Sequence, residues 1–194
     1  MEAEASIDKI SVKDYLATER KSDTKHEYID GIIKPMSGAS YFHTLICGNI
    51  IRILGSFVLK QNITVHGSDL RVAAREGSRY YYPDVVLIKE EPNFTDHQFD
   101  TVMNPHIVIE VPSESTEGYD RGDKFQSYRM LESLQAYVLV AQDKPLVEVF
   151  TRDAETNQWV LSEARDLESH VQLPLLKEKL VLSDIYAKVK FPAK

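Results

Sequence analysis

Apolar residues recur along the chain with two different periods, and these periods predict a mixture of helices and strands. Residues 40–62 keep apolar side chains three to four positions apart, which predicts the longest helix. Shorter apolar runs, bounded by glycine or charged residues, predict strands at 63–67, 69–75, 79–90, 106–111, 135–141, 145–150 and 158–164. The order of these elements predicts one α/β or α+β domain over residues 1–194, a mixed sheet flanked by helices.

Turn and capping residues refine this outline. The pair Asp30–Gly31 lies between two short β-rich pieces within residues 25–36 and predicts a hairpin near the N-terminus. Three shorter helices are predicted at 11–20, 123–134 and 182–189, the first capped by Ser11 and the last by Ser183.

Composition and charge limit the classes of protein that fit. The 194 residues carry 23 basic and 30 acidic side chains, a net charge of −7, which argues against tight non-specific binding of nucleic acid. The one cysteine, Cys47, excludes an internal disulfide. The polar, acidic N-terminal segment differs from a secretory signal, and no apolar run approaches the roughly 20 residues of a membrane span. We therefore expect a cytoplasmic protein without membrane contact.

Two acidic residues are set against apolar runs that the pattern assigns to the core. Asp84 precedes the run Val85–Ile88, and Glu110 lies near the end of the next strand. If these strands are neighbours, the carboxylates converge, and oxygen ligands of this kind suit Mg²⁺ or Mn²⁺. The alternative is that each acid marks a strand end that faces solvent.

A third polar element follows on the predicted helix. Asp120, Lys124 and Tyr128 stand four residues apart and form one stripe. A lysine directed at two carboxylates would keep them ionised and could orient an attacking water. An ordinary Asp–Lys pair on a solvated face fits the same spacing.

Glu27 and the histidines leave further alternatives open. Strand alternation places Glu27 on the face opposite Tyr28, where it is either a fourth polar group of a site or the solvent side of the hairpin. His43 either faces a cleft or lies in the first turn of its helix. The histidines show no H-x-x-x-H spacing, which argues against zinc.

The combination of these segments resembles the domain-of-unknown-function 820 family of Uma-type restriction endonucleases. The segments are HEYIDGIIKPMSG with a later His, YPDVVLI, IVIEVPSESTEGYDRGDKFQSY and AYVLVAQDKPLVEVF, and the resemblance covers roughly residues 15–182. Its most specific part is the run E-V-x-S-x-x-T-x-x-x-D-x-x-x-K-x-x-x-Y that starts at Glu110.

This resemblance implies a restriction-endonuclease-like core, similar to the PD-(D/E)XK nucleases, with an additional N-terminal hairpin. By the resemblance, Asp84 and Glu110 hold Mg²⁺ or Mn²⁺ with the main-chain carbonyl of Val111. The usual lysine would fall at Pro112, and Lys124 takes its place. Glu27 matches an early acidic residue of the family and would support the waters of the metal.

The expected function is therefore metal-dependent hydrolysis of a phosphodiester bond in nucleic acid, with DNA as the expected substrate. Many nucleases cut both strands as twofold dimers, so a homodimer is also expected. Two other functions fit the sequence: a catalytically silent binding or regulatory protein on the same fold, and a metal-dependent hydrolase of another phosphodiester.

Overall fold

A computed structural model of the protein describes residues 9–191. Residues 1–8 and 192–194 lie outside the described part of the chain, and with them the first half of the segment in which no secretory signal is expected. The helices are α1 (Val12–Glu19), α2 (Tyr41–Val58), α3 (Glu117–Tyr119), α4 (Phe125–Tyr128) and α5 (Leu182–Ile185), with a π-helical turn, Asp120–Lys124, joining α3 to α4.

Thirteen strands form three sheets within residues 9–191. The strands are β1 (His26–Ile29), β2 (Ile32–Pro35), β3 (Ile63–Gly67), β4 (Arg71–Ala74), β5 (Arg79–Tyr81), β6 (Val85–Lys89), β7 (Thr101–Val102), β8 (Ile107–Glu110), β9 (Ala136–Val140), β10 (Val147–Arg152), β11 (Trp159–Ala164), β12 (His170–Gln172) and β13 (Lys179–Val181).

The central sheet has six strands in the order β11-β10-β9-β8-β6-β3. Its strands are antiparallel except for β8 and β9, which run parallel, so the sheet is mixed as the sequence predicts. A second sheet has the order β2-β1-β5-β4-β7, and β12 pairs with β13 in a third. The single-domain assignment over residues 1–194 stays a prediction.

Helices cover both faces of the central sheet because alternate residues of its strands are apolar on each face. Along β8, Ile107 and Ile109 pack in one core cluster with the buried face of α2, whereas Val108 packs in a second cluster with Phe125 and Tyr128 of α4. The predicted mixed sheet flanked by helices is confirmed. By length and composition alone helix α2 could cross a membrane, contrary to the expectation that no apolar run approaches that length, but one of its faces packs in the core against the central sheet.

The N-terminal hairpin is formed by its turn chemistry. Asp30 and Gly31 both have positive φ, 51° and 101°, as a two-residue type I′ turn requires. A Cβ at Gly31 would lie 2.8 Å from the Cβ of Lys9, so glycine is needed for space as well as for φ. The predicted hairpin and the Ser11 cap of α1 are confirmed.

Three predictions of elements were wrong. The strand expected at 79–90 is two strands in different sheets, because the segment Tyr82–Asp84 breaks the run at Pro83. The helix expected at 123–134 begins at Glu117 and ends at Tyr128. Helix α5 has Val181 at its N-cap, without a side-chain cap bond, and Ser183 lies inside the helix.

Candidate functional site

The register of β6 and β8 brings their acidic residues to one end of the central sheet. Val85 pairs with Ile109 in the antiparallel ladder. Asp84 is the residue before Val85 and Glu110 is the residue after Ile109, so the two acids come next in the same register. The condition set by the sequence, that the two strands be neighbours, is met.

Lys124 is buried at this end of the sheet among three carboxylates. Its Nζ lies 2.9 Å from Glu110 Oε1, 3.2 Å from Glu27 Oε1 and 3.5 Å from Asp120 Oδ1. All four side chains are buried, so the Asp–Lys pair does not lie on a solvated face and Glu27 does not lie on a solvent side of the hairpin. We call Glu27, Glu110, Asp120 and Lys124 the lysine cluster.

Each member of the lysine cluster reaches it for a local reason. Glu27 alternates with Tyr28, which faces the other way and packs against Tyr15 and Tyr80. Glu110 shares the face of Val108, towards α4. Asp120 and Lys124 are the ends of the π-helical turn, a distortion that is frequent at functional sites.

The lysine cluster holds more negative charge than Lys124 compensates. Burial raises the pKa of Glu110 well above its usual range; Lys124 opposes this effect, and Asp84 adds to it. Burial also raises the pKa of Asp120. Burial alone would lower the pKa of Lys124, but Glu110 and Glu27 raise it well above its usual range, so the ammonium form is retained.

Glu110 is incompletely satisfied as well as buried. Its Oε1 lies 2.9 Å from the ammonium of Lys124, yet it makes no well-directed hydrogen bond within the described part of the chain. The contact therefore compensates charge without completing the coordination of the oxygen. A buried carboxylate oxygen in this state is costly unless a further partner is present.

Asp84 is held by a second set of contacts. Its Oδ1 lies 3.0 Å from His43 Nε2, and its Oδ2 accepts the main-chain N–H of Val111 at 2.7 Å. The carbonyl of Val111 accepts from His43 Nδ1 at 3.0 Å and from Gln142 Nε2 at 3.1 Å. His43 thus bridges the carboxylate of Asp84 and the carbonyl of Val111.

The electrostatics of this second set favour a protonated imidazole in the absence of a metal. Burial alone would lower the pKa of His43, but the Asp84 carboxylate and the Val111 carbonyl outweigh it, and the pKa of His43 is raised. Cys47, one helical turn after His43, is close enough to Asp84 and Glu110 that both carboxylates add to the burial that raises its pKa.

The structure brings the predicted site residues together, but Lys124 pairs with only one of the two acids on the central strands. Asp84, Glu110, Val111, Lys124 and Glu27 all lie at the same end of the central sheet. Lys124 contacts Glu110, but within residues 9–191 the cation paired with Asp84 is His43. The catalytic and metal-binding roles of these residues stay predictions.

Sequence reasoning left the place of His43 open and missed Cys47 and Gln142. One ligand atom from each of His43, Cys47 and Asp84 lies within 4.8 Å of the others. The signal was present as H-x-x-x-C on helix α2, which places both side chains on one face. Gln142 follows β9 and left no signal of its own in the sequence.

Comparison with known proteins supports the resemblance seen in the sequence. The Uma2 family, described as "Putative restriction endonuclease", matches residues 12–183. The chain belongs to this family. Two proteins of Synechocystis sp. (strain ATCC 27184 / PCC 6803 / Kazusa) are similar in sequence. Protein sll1609 is 34% identical over 168 residues, which cover 87% of this chain and 94% of the relative. Protein slr1290 is 31% identical over 157 residues, 81% of each.

A solved structure confirms the fold class. The crystal structure of "a putative nuclease belonging to DUF820" from Anabaena variabilis ATCC 29413 superposes with a TM-score of 0.72. It covers 92% of this chain and 98% of that one at 16% identity. The restriction-endonuclease-like mixed sheet flanked by helices is therefore the fold of this Uma2 protein.

Proposed function

We propose that this Uma2 protein is a metal-dependent nuclease that hydrolyses a phosphodiester bond of nucleic acid. The observation that carries the proposal is the surplus of carboxylates at one end of the central sheet. Glu27, Glu110 and Asp120 share the single ammonium of Lys124, and Asp84 stands beside them with only an imidazole as its cation. Within residues 9–191 no other charged cluster is so far from balance.

The donor atoms fit a hard divalent cation. Asp84, Glu110 and the carbonyl of Val111 offer oxygen, the element that Mg²⁺ and Mn²⁺ prefer. The under-coordinated Oε1 of Glu110 and its pKa, which burial and the neighbouring Asp84 raise, both favour a further cation beside this carboxylate. We therefore assign Mg²⁺ or Mn²⁺ to these three ligands, as the resemblance implies.

A divalent ion held by Asp84, Glu110 and the carbonyl of Val111 would lower the pKa of a bound water and would stabilise the negative charge that develops on the phosphate. Lys124 orients the attacking water, and its contact with Glu110 at 2.9 Å opposes the rise that burial causes in the pKa of this carboxyl group. Glu27, 3.2 Å from the same ammonium, supports the waters of the site. Tyr119, whose hydroxyl lies 3.4 Å from Glu27 Oε2, holds that carboxylate in place.

The substrate and the assembly follow from the family and from general reasoning about nucleases. We propose DNA as the nucleic acid and a homodimer as the form that cuts both strands. A net charge of −7 argues that binding relies on local contacts rather than on a wide basic surface.

The test is a plasmid-nicking assay of the full chain with Mg²⁺ or Mn²⁺. Glu110→Gln and Asp84→Asn keep the shape of each side chain and remove its charge. We expect each to lower the nicking rate by about 10³-fold or more, because metal stabilisation of several kcal/mol corresponds to one factor of ten per about 1.4 kcal/mol. Asp143→Asn is a matched control on an exposed carboxylate, and its rate should equal that of the wild type.

Three outcomes would overturn the proposal. Undiminished nicking by Glu110→Gln would remove this site from the reaction. No nicking by the wild type, together with no binding of Mg²⁺ or Mn²⁺ in calorimetry, would leave a silent binding protein on the same fold. Turnover of small phosphodiesters with no cleavage of DNA or RNA would instead identify a hydrolase of another substrate.

A further inference from the structure

Helix α2 presents two metal-ligand side chains to Asp84. His43 and Cys47 are one turn apart on this helix, and their ligand atoms and a carboxylate oxygen of Asp84 lie within 4.8 Å of one another. His43 Nε2 and Asp84 Oδ1 are 3.0 Å apart, close to the spacing of two ligands on one ion. Imidazole, thiol and carboxylate together are a donor set that Mg²⁺ does not use and that Zn²⁺ does.

The surroundings of these three side chains are those of an outer shell around a metal. A main-chain carbonyl cannot donate, so the contact at 3.0 Å between His43 Nδ1 and the Val111 carbonyl requires a proton on Nδ1. That proton directs Nε2 towards Asp84 as the ligand nitrogen, the arrangement typical of metal-binding histidines. Asp84 is fixed through its other oxygen, which accepts the N–H of Val111 at 2.7 Å.

We propose that His43, Cys47 and Asp84 form a second metal site, which takes a borderline transition ion of the Zn²⁺ class and leaves the fourth position open. Three protein ligands and one open position are the usual form of a reactive zinc site. Metal–ligand bonds of about 2.0–2.3 Å hold ligand atoms closer together than the 4.8 Å limit within which these three lie, so the set must contract when the ion binds. The protons on His43 Nε2 and on the thiol leave when the ion binds.

This site stands on residue positions and not on the proposed nuclease reaction, although Asp84 belongs to both. The sequence argued against zinc because it contains no H-x-x-x-H pair, and only a second histidine was considered as the partner of His43. The geometry points the other way because the fold supplies a cysteine from the same helix and a carboxylate from the end of another element. A Zn²⁺ ion here would take Asp84 from the hard-metal site, so the two ions would compete for one carboxylate.

The experiment uses Co²⁺ as a coloured substitute for Zn²⁺ and contains no nucleic acid. The reduced full chain, free of Mg²⁺, is titrated with Co²⁺ while the near-ultraviolet and visible absorption is recorded. We expect one ion per chain, a thiolate-to-cobalt charge-transfer band, and loss of that band when Zn²⁺ is added. Because Cys47 is the one cysteine of the chain, a sulfur band reports this residue directly.

Variants assign the other ligands. Cys47→Ser should abolish the charge-transfer band, and His43→Gln should weaken Co²⁺ binding by at least about tenfold. His106→Gln changes a half-buried histidine outside the set and should leave both the band and the affinity unchanged.

The outcomes are decisive in both directions. Absence of the sulfur band from the wild type, or unchanged affinity in a folded His43→Gln protein, overturns the proposal. If His43→Gln does not fold, the band in the wild type and its loss in Cys47→Ser decide the matter. If the protein shows the band but never nicks DNA, the second metal site is supported and only the nuclease proposal fails. If it nicks DNA without showing the band, the nuclease proposal is supported and the second metal site is overturned.

Discussion

Two clusters of charged side chains in this protein have opposite electrostatic character. Near β4 and β7, Arg71 lies 2.6 Å from Asp100, and Arg20 lies 2.7 Å from both Asp100 and Asp96. Two guanidinium groups face two carboxylates, and bonds from Arg20, then Arg71, lower the pKa of Asp100 below its usual range in spite of partial burial. In the lysine cluster one ammonium faces three carboxylates, and burial raises the pKa of Glu110.

The difference separates a structural network from a site. The arginine cluster, Arg20, Arg71, Asp96 and Asp100, is complete within the protein, because each carboxylate has a guanidinium partner. The lysine cluster is incomplete, which costs stability unless a cation is bound. The balanced arginine cluster ties the end of α1 to the loop before β7, whereas the charge imbalance of the lysine cluster is what the proposed cation would reduce.

The largest expected effect comes from removing the ammonium of the lysine cluster. Lys124→Met would leave three buried carboxylates without a cation and should lower the free energy of unfolding of the metal-free protein by about 3–5 kcal/mol. Urea denaturation measures this, and nicking should be lost as well. Lys144→Met, at an exposed lysine, should stay within about 0.5 kcal/mol of the wild type. Equal stability of the two variants would contradict the comparison.

Binding of a metal ion to Asp84 and Glu110 should stabilise the folded protein. At 100 times its dissociation constant, Mg²⁺ should raise the free energy of unfolding by about 2.7 kcal/mol, because it binds the folded state alone. Thermal unfolding with and without Mg²⁺ measures the gain. Asp84→Asn should lose most of it; a full gain in this variant would remove Asp84 from the set of ligands.

Removing a guanidinium from the arginine cluster should lower stability without changing the response to Mg²⁺. Arg71→Met leaves Tyr82 and Thr101 without a buried donor and should cost about 1–3 kcal/mol in the free energy of unfolding. Added Mg²⁺ should raise the stability of this variant by as much as that of the wild type, and nicking should persist under conditions where the variant is folded. A specific loss of nicking in folded Arg71→Met would show that the two clusters are coupled.

The two clusters should also respond to pH in opposite directions. The raised pKa of Glu110 and Asp120 means that the folded state holds more protons than the unfolded state above about pH 4.5, so the stability of the metal-free protein falls as pH rises from there. The lowered pKa of Asp100 gives stability that is present above about pH 4 and is lost on acidification below it.

Glu110→Gln isolates the first of these effects. The stability difference between wild type and variant should change with pH by at most about 1.4 kcal/mol per pH unit, the value for one proton. Thermal unfolding of both proteins from pH 5 to 8 without metal measures the slope. A difference that does not change with pH would mean that Glu110 carries no raised pKa.

Local chemistry accounts for the parts of the fold that the sequence predicted well. The Asp30–Gly31 turn, the Ser11 cap and the strand at 63–67 depend on residues close together in the chain, and each lies where it was predicted. The errors have tertiary causes. Residues 79–90 were predicted as one strand because both halves of the segment are rich in apolar residues. In the structure the two halves are buried, but they belong to different sheets.

The candidate site divides in the same way. The sequence by itself identified carboxylates of the candidate site, because a carboxylate inside an apolar run, as at Glu110, needs a compensating charge wherever the strand lies. Only the tertiary structure decided which cation compensates which acid, since His43 and Lys124 come from helices on opposite faces of the central sheet. Pairing depends on distances between elements far apart in the chain, and neither residue type nor spacing along the chain contains those distances.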